Sequence, residues 1–427
     1  MNESFLHYIW QFQYFDKTDL RCTTGEEISV FKPGYKNVHS GPDFYDAKLR
    51  IDSIDWAGSV EIHIQSSGWR EHRHQEDPAY ENVVLHVVWE ENEKILRGDG
   101  TLIPTLELRS RVASSFILQY KRILHSRTKI PCANAIGSVP ALIRLSMIDK
   151  ALMSRLEAKA GVIMQAYEKN NGDWEETTYQ AICRNFGFKV NTDPFLQLAT
   201  ALPYKILMKH GNKLEQMEAL IFGQAGFLTE TINDSYYLLL KREYTILRQK
   251  YNLGQRQMRK AQWRFLRLRP ANFPSIRLAQ LASVLYHQKN LFSKVISIES
   301  WKDLVPTFSV KPSEYWLYHY QFFKKQKKEI PALGTMSIEN IVINSIVPIL
   351  VAYGKSKDDQ RYVDRAVRLL QETPTEKNNI VQSWEELGIG SRSAFDSQGL
   401  LELHNSFCLR RRCLDCAIGF HLLQPQA

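Results

Sequence analysis

The chain has 427 residues, of which 44% are hydrophobic and 11% are aromatic, and its formal net charge is +9. This length exceeds one ordinary core, so we expect two or three domains, and the apolar content argues against a disordered protein. No run approaches the length of a membrane span, and the amino terminus lacks the basic and apolar segments of an export signal. Six cysteines without such a signal indicate a reducing compartment. We therefore predict a cytoplasmic protein with no membrane partner.

The first 126 residues predict a short helix, a mixed β-sheet and a second helix. Aromatic and charged residues mix over residues 1–20, which favours a helix that caps the sheet. From 27 to 110 apolar residues recur with period two, and Gly, Pro and Asp residues mark the turns. The predicted strands cover residues 27–31, 47–51, 58–65, 83–89 and 105–108, and the helix covers 109–126.

A row of polar side chains runs along the third predicted strand. Glu61, His63 and Gln65 alternate there with apolar residues, and side chains two apart on a strand share a face. Two carboxylates can hold Mg²⁺ or Mn²⁺, which polarises a phosphodiester and lowers the pKa of its bound water. We predict such a metal at Asp43 and Glu61, with Gln65 orienting the water. The alternative is that Asp43 caps a turn and Glu61 is a solvated strand residue.

Two short blocks carry a resemblance to a nuclease superfamily. Pro42-Asp43 and Glu61-Ile62-His63 resemble the PD-(D/E)xK pattern, in which an acid at a strand start precedes an acid-x-Lys on the next strand. The resemblance implies metal-dependent cleavage of phosphodiesters, with Asp43, Glu61, His63 and Gln65 as catalytic residues. His63 stands where the pattern has Lys. It would therefore take the role of the Lys or bind the metal, or the activity is lost.

Histidines are concentrated around this row. His39, His63, His72, His74 and His86 fall within one-ninth of the chain. His72 and His74 can form a second metal-binding corner or a loop that contacts phosphate, and the alternative is a solvated loop. His86 lies among Val and Leu residues, where a core histidine is the more common outcome and a metal ligand is the alternative.

From about residue 138 the apolar spacing becomes helical. Apolar residues three and four apart predict helices over 141–168, 174–186, 194–209, 213–222, 235–251, 275–287, 315–323, 337–354 and 358–372. The predicted fold class is therefore α+β. A small mixed β domain that is nuclease-like spans 1–135, a larger all-α domain spans 136–392, and a Cys-rich C-terminal tail spans 393–427 and packs back on the domain junction.

The positive charge is concentrated between residues 244 and 298. This segment has eleven Lys or Arg and no Asp or Glu, which favours a polyanionic partner, nucleic acid before a membrane surface. Arginine can pair with phosphate and stack on bases. The alternative is a solvated basic face. The predicted nucleic-acid-binding residues, which alternate with aromatic residues, are Arg256, Arg259, Lys260, Arg264, Arg267 and Arg269.

Three cysteines near the carboxyl end have the spacing of metal ligands. Cys408, Cys413 and Cys416 lie within nine residues and flank three arginines, which is typical of Zn²⁺ or 4Fe-4S cluster sites. A closed site needs a fourth ligand, for which Cys132 is preferred; Cys22, His404 and His421 are the alternatives. Cys183 lies in an apolar helical pattern and is predicted to be a core residue. Three unrelated reduced cysteines are the other interpretation of the tail.

The cysteine arrangement resembles the iron–sulfur-stapled nucleases of the CRISPR-adaptation and recombination type. In those enzymes one distant Cys joins three near the carboxyl end. Their distant Cys precedes the catalytic acids, whereas Cys132 follows Asp43 and Glu61, and Cys22 alone would match that order. The resemblance implies a metal site that links the carboxyl-terminal segment to a distant cysteine, and it does not identify the metal.

Taken end to end, the chain resembles an uncharacterised bacterial family, domain of unknown function 2851. The resemblance rests on the blocks at 41–44, 60–63, 218–226 and 269–274 and on the cysteine tail. We expect a metal-dependent nuclease acting on nucleic-acid phosphodiesters, active or degenerate. The alternatives are a non-catalytic nucleic-acid-binding or scaffold protein with a structural Zn or Fe–S site, and a metal hydrolase that acts on a small molecule through the histidines.

Overall fold

A computed structural model describes residues 2–424 and divides the chain into two compact units. The first unit contains the residues up to Met147 and those from His404 onward, and the second unit spans Ile148–Leu403. The first unit contains a mixed sheet and the second is helical, so the predicted α+β class is confirmed. The predicted tail, 393–427, is divided by this grouping at residue 404.

The first unit is built on one mixed sheet. Its elements are helix α1 (Glu3–Phe12), strands β1 (Ile28–Lys32), β2 (Tyr35–Lys36), β3 (Phe44–Ile51) and β4 (Ile54–Gln65), helix α2 (Gly68–Glu71), strands β5 (Val83–Glu90) and β6 (Thr105–Glu107), and helix α3 (Ser114–Leu124). The strand order is β1-β3-β4-β5-β6, with β2 beside β3. β3 and β4 are antiparallel, whereas β4 and β5 run parallel, as do β5 and β6. The sequence pattern does not predict β2, because two residues show no period.

β4 is buried on both faces over its second half. Val60 and Ile62 join the apolar core that contains side chains of α1 and α3, as alternation requires. On the opposite face Glu61 and His63 are also buried. Trp69 in α2 and the 3₁₀ turns His74–Glu76 and Pro78–Tyr80 lie over that face, so the polar row is enclosed by protein.

The carboxyl-terminal segment belongs to the first unit. It consists of a π-helical segment, Leu403–Cys408, a 3₁₀ turn, Cys413–Asp415, and a last helix, Ala417–Leu423. Phe420 packs edge-on against Tyr8 of α1, with 5.7 Å between the ring centroids, and Leu423 is fully buried in the core of this unit.

The second unit is helical throughout. Its α-helices are Ala141–Lys169, which begins in the first unit, Trp174–Phe186, Thr192–Ala201, Tyr204–Met208, Leu214–Gln224, Ser235–Lys250, Pro274–His287, Leu291–Ser297, Trp301–Phe308, Thr335–Ile341, Val347–Lys357, Gln360–Glu372, Asn379–Glu385 and Ala394–Glu402. The π-helical segment Val342–Ile346 joins two of them. The predicted helix over 194–209 is interrupted at Pro203, because a proline cannot donate a backbone hydrogen bond.

The predicted helix over 315–323 is wrong. The chain forms a short 3₁₀ turn, Glu314–Leu317, and then irregular structure. Its aromatic residues explain the difference: Trp316 stacks on Phe222, with 4.7 Å between ring centroids, and Tyr315 stacks on Tyr236 at 4.2 Å. Tertiary packing of these rings overrides a local helical spacing.

One continuous helical segment, Thr335–Lys357, is long and apolar enough to cross a membrane by length and composition. The expectation that no run approaches that length is therefore wrong for this segment. Of its most apolar window, 67% is buried inside the protein. A buried core helix has the same composition, so the segment is weak evidence for a membrane.

Candidate metal centre

Two hydrogen bonds join Asp43, which directly precedes β3, to Glu61 and Ile62 of β4. The Asp43 N–H donates to Glu61 Oε2 (3.0 Å), and the Ile62 N–H donates to Asp43 Oδ2 (3.0 Å). The pairing of β3 with β4 changes register between Phe44 and Ala47, just after these two hydrogen bonds. His7 of α1 approaches the same Asp43 oxygen, with Nε2 at 3.2 Å. The second carboxylate oxygen of Glu61, Oε1, is directed elsewhere.

Glu61 Oε1 lies among histidine nitrogens. It is 3.3 Å from His74 Nε2 and 3.7 Å from His63 Nε2, and His63 Nε2 is 3.2 Å from His72 Nδ1. One ligand nitrogen of each of the three histidines lies within 4.8 Å of those of the other two. Ligands about 2.1 Å from a metal ion lie about 3 to 3.5 Å from one another. We name Glu61, His63, His72 and His74 the histidine centre, because the three imidazoles can hold one ion and the Glu61 carboxylate lies beside two of them.

His86 orients the ring of His63. His63 Nδ1 and His86 Nε2 are 2.9 Å apart, and burial lowers the pKa of both rings to about 3. Each ring is therefore neutral at pH 7 and carries one N–H. If His63 donates to His86, its Nε2 has a free lone pair, which is the tautomer that a metal requires.

Two buried nitrogens at the centre have unmet bonding capacity. Within residues 2–424, His86 Nδ1 has no hydrogen-bond partner, and the one neighbour that His74 Nε2 could bond is Glu61 Oε1 at 3.3 Å; an unpaired buried polar atom costs about 1–3 kcal/mol. His74 Nε2 lies beside the Glu61 carboxylate, whose pKa is raised by burial and by Asp43 and lowered by the contact with His74. A cation at this position would bond the nitrogen and favour the ionised carboxylate, so the donor set fits a metal.

Contacts with neighbouring residues fix the orientation of the His63 and His74 rings. The His74 ring stacks on Tyr80, with 3.8 Å between centroids, and Trp69 lies edge-on to it at 5.4 Å. The backbone of Gly68 passes so close to His63 that a Cβ there would lie 2.6 Å from Cδ2 of the ring. His72 is exposed, whereas His63 and His74 are buried. The centre is therefore accessible from solvent at His72.

A cavity of about 400 Å³ borders His74. Trp69 and Tyr80 line it, together with Arg97. Four carboxylic acids also line it: Glu76, Asp77, Glu81 and Asp99. Their negative charge repels phosphate, so this cavity is not assigned to a phosphodiester.

The structure brings together most of the predicted site residues of the β domain. Asp43, Glu61 and His63 lie close together, and the second predicted corner, His72 and His74, belongs to the same cluster. Gln65 is exposed at the end of β4, and no side-chain hydrogen bond joins it to the cluster in the described part of the chain. Sequence reasoning missed His7, because a histidine on an amphipathic helix gives no signal in the sequence.

The basic segment exposes all six predicted cations. Over residues 254–272, which carry these cations, the backbone forms 3₁₀ turns and irregular structure. Trp263 is buried and donates to the Ala225 carbonyl (2.8 Å), and Phe265 packs against Phe273 with 5.2 Å between centroids. Trp263 and Phe265 therefore pack against the core of the second unit, whereas the cations face solvent together with Leu266, and Lys260 forms an ion pair with Glu230 (2.5 Å).

Of the cysteines, Cys132, Cys408, Cys413 and Cys416 belong to the first unit, where they lie close enough to interact electrostatically. Cys183 is fully buried in the core of the second unit, as predicted.

Comparison with known proteins gives a family and no further relative. A family model described as "Protein of unknown function (DUF2851)" matches residues 3–379. No curated protein matches, and no solved structure matches. The predicted resemblance to this family is confirmed. The nuclease resemblance is not confirmed and stays a prediction.

Proposed function

The chain belongs to the DUF2851 family of proteins of unknown function, and from its centre we propose that it is a metal-dependent hydrolase that cleaves nucleic-acid phosphodiesters. The observation that supports this most directly is the convergence of three imidazoles, with the buried Glu61 carboxylate 3.3 Å from His74 and 3.7 Å from His63. Such a set is expensive to enclose without a cation, because each buried polar atom needs a partner.

The donor set favours a transition metal. Imidazole suits Zn²⁺ and Fe²⁺, and carboxylate suits Mn²⁺, whereas Mg²⁺ prefers oxygen ligands throughout and keeps several waters. The histidine centre therefore fits Zn²⁺ or Mn²⁺ better than the Mg²⁺ that a pair of carboxylates suggests. A bound divalent ion there would polarise a phosphoryl oxygen and lower the pKa of water.

The surrounding residues have separate roles in this proposal. When His63 Nδ1 donates to His86 Nε2, which is 2.9 Å away, His86 holds His63 in the tautomer with a free Nε2. Asp43 and His7, which are 3.2 Å apart, form a carboxylate–imidazole pair beside Glu61 and are candidates to accept the proton of an attacking water. Glu61 combines a ligand oxygen, Oε1, with an oxygen held by the Asp43 N–H, so its orientation is fixed.

The substrate class rests on charge. The exposed cations of the basic segment form a field that attracts a polyanion. A second candidate function is favoured by the cavity of about 400 Å³ beside His74, which suits hydrolysis of a small molecule without phosphate. Binding of nucleic acid without cleavage is the third outcome that a cleavage experiment distinguishes.

Cleavage is tested with metal-free protein to which Zn²⁺, Mn²⁺ or Mg²⁺ is returned separately. We expect cleavage of labelled single- or double-stranded DNA or RNA with Zn²⁺ or Mn²⁺, and a loss of at least about 100-fold in His72→Ala. His72 is exposed, so its removal leaves the fold intact. The matched control is His125→Ala, an exposed histidine of the same unit.

Three results would count against the proposal. Wild-type protein that binds metal and nucleic acid but never cuts is a binding protein. Cleavage that survives in His72→Ala comes from another site or a contaminant. Metal-dependent hydrolysis of small esters, with no action on nucleic acid, supports the second candidate.

The basic segment has its own test. Reversing Arg256 and Arg259 to Glu is expected to weaken nucleic-acid binding by about 10- to 100-fold at low salt, and to reduce the slope of log K against log salt by about 0.9 for each phosphate that the variant no longer neutralises. The control makes the same charge change at Lys327 and Lys328, which are exposed in the same unit. Equal effects of the two pairs, measured by fluorescence anisotropy, would show that net charge alone matters.

A further inference from the structure

Four cysteines from distant parts of the sequence meet in the first unit. Cys132 follows α3, and Cys408, Cys413 and Cys416 come from the carboxyl-terminal segment. Every pair of these thiols interacts electrostatically: Cys408 with each of the other three, Cys132 with Cys413 and Cys416, and Cys413 with Cys416. Cys132 thus provides the fourth thiol, which the three cysteines of the carboxyl-terminal segment need to form a four-ligand site.

Hydrogen bonds join the two segments that carry these thiols. The Arg411 guanidinium donates to the Ser126 carbonyl (2.7 Å) and to the Thr128 carbonyl (3.2 Å), in the loop that leads to Cys132. The Arg411 N–H donates to the Cys408 carbonyl (3.1 Å). The turn that presents Cys408 is therefore held against the loop that presents Cys132.

Backbone turns present the other two thiols. Cys413 begins the 3₁₀ turn, and Cys416 directly precedes the last helix. Gly419 of that helix lies so close that a Cβ there would be 2.1 Å from the Cys413 carbonyl oxygen. Only glycine permits this approach, which keeps Cys413 and Cys416 together.

The surrounding protein shields the four thiols from solvent. Cys408 and Cys416 are 6% and 8% exposed. Burial, together with the neighbouring thiols, raises the pKa of Cys132 to about 12 and that of Cys413 to about 11. The positive charge of Arg411 lowers the pKa of Cys408 and Cys413. This cation would offset the negative charge of a thiolate site.

The distances between the sulfur atoms distinguish a single metal ion from an iron–sulfur cluster. In the described range of the chain, three histidines form a group of potential ligands whose atoms all lie within 4.8 Å, whereas no three of the four sulfurs do. Four thiolates on one Zn²⁺, at about 2.3 Å each, would lie about 3.8 Å apart. On a four-iron cluster they lie about 6 Å apart.

We propose that Cys132, Cys408, Cys413 and Cys416 bind a [4Fe–4S] cluster. Each thiol loses its proton to solvent and forms one Fe–S bond, with no change in the oxidation state of the cluster. The whole second unit lies between Cys132 and Cys408 in the sequence. The cluster therefore closes the first unit at the point where the chain returns to it. The proposal is independent of the histidine centre.

The test is anaerobic purification followed by reconstitution with ferrous iron and sulfide. We expect a brown protein with about four irons and four sulfides per chain, and a loss of both in Cys132→Ser and Cys413→Ser. These two cysteines are half-buried, so the substitutions are mild. The matched control is Cys22→Ala, a buried cysteine in the same unit but outside the group, and circular dichroism confirms that each variant is folded.

Two results would overturn the cluster. Stoichiometric zinc with no iron after anaerobic reconstitution would assign the thiols to Zn²⁺. Iron and sulfide that remain in folded Cys132→Ser would show that the distant cysteine is not a ligand.

Discussion

Replacing Glu61 by Gln is expected to lower the affinity of the histidine centre for Zn²⁺ or Mn²⁺ by at least about 100-fold, which corresponds to about 3 kcal/mol. The change keeps the size of the side chain but removes the negative charge beside His63 and His74. A charge in a buried position is screened far less than in water, so its loss has a large effect on a cation. Glu61 is 5% exposed.

Calorimetric titration of metal-free protein measures this affinity directly. The matched control is Glu81→Gln, an exposed acid on the cavity beside His74. We expect the control to bind metal as the wild type does. If Glu61→Gln binds as tightly as the control, the ion is held elsewhere and the proposed centre is wrong.

The centre is ordered by packing as well as by its own hydrogen bonds. Tyr80 stacks on His74, the Gly68 backbone contacts His63, and His86 bonds the far nitrogen of His63. Such support holds the imidazoles in place before an ion arrives, which reduces the entropy lost on binding. The exposed His72 is the ligand that remains free to adjust.

Sequence spacing is sufficient to predict part of the centre. Glu61 and His63 share a face because strand residues two apart must do so. The same rule extends the row to Gln65, but the strand ends there and the side chain faces solvent. His72 and His74 can be assigned to the centre only from the structure, in which Trp69 and Tyr80 hold that segment over the strand.

In the second unit, too, sequence spacing predicts local structure but not the tertiary contacts. Long amphipathic helices such as Trp174–Phe186 have the bounds that their spacing predicts, because spacing is a local property. The helix predicted over 213–222 continues through Gly223 to Gln224, and a Cβ at Gly223 would be 2.1 Å from Cγ of Tyr244. A close approach between two helices depends on tertiary packing, which a single sequence does not state.

Glu218 is a buried acid in the second unit, and its ionisation depends on tertiary packing in the same way. Its side chain is fully buried, and its two oxygens accept from the Tyr236 hydroxyl and the Ser313 hydroxyl, both at 2.7 Å. Burial raises the pKa of Glu218 from 4.5 to about 7, although these two hydrogen bonds lower it. The carboxyl group is therefore neutral in the folded protein over a range in which it ionises in the unfolded chain.

The sign of the resulting pH dependence follows from proton binding. Below pH 4.5 the group is protonated in both states, and above about pH 7 it is ionised in both. Between these values the folded state binds more protons, so the free energy of unfolding falls as the pH rises. A shift of this size corresponds to a fall of about 3 kcal/mol across the window.

Glu218→Gln should abolish this contribution, because an amide stays neutral at every pH in the window. We expect the free energy of unfolding of the variant, relative to that of the wild type, to rise by about 3 kcal/mol between about pH 4.5 and pH 7.5. Urea unfolding followed by tryptophan fluorescence measures it, since Trp316 donates to the Tyr236 hydroxyl (3.0 Å) beside the acid. Other titrating groups are common to both proteins and cancel in the difference. Glu168→Gln, an exposed acid of the same unit, should show no such rise, and a constant difference between Glu218→Gln and wild type would place an ionised carboxylate in the folded core.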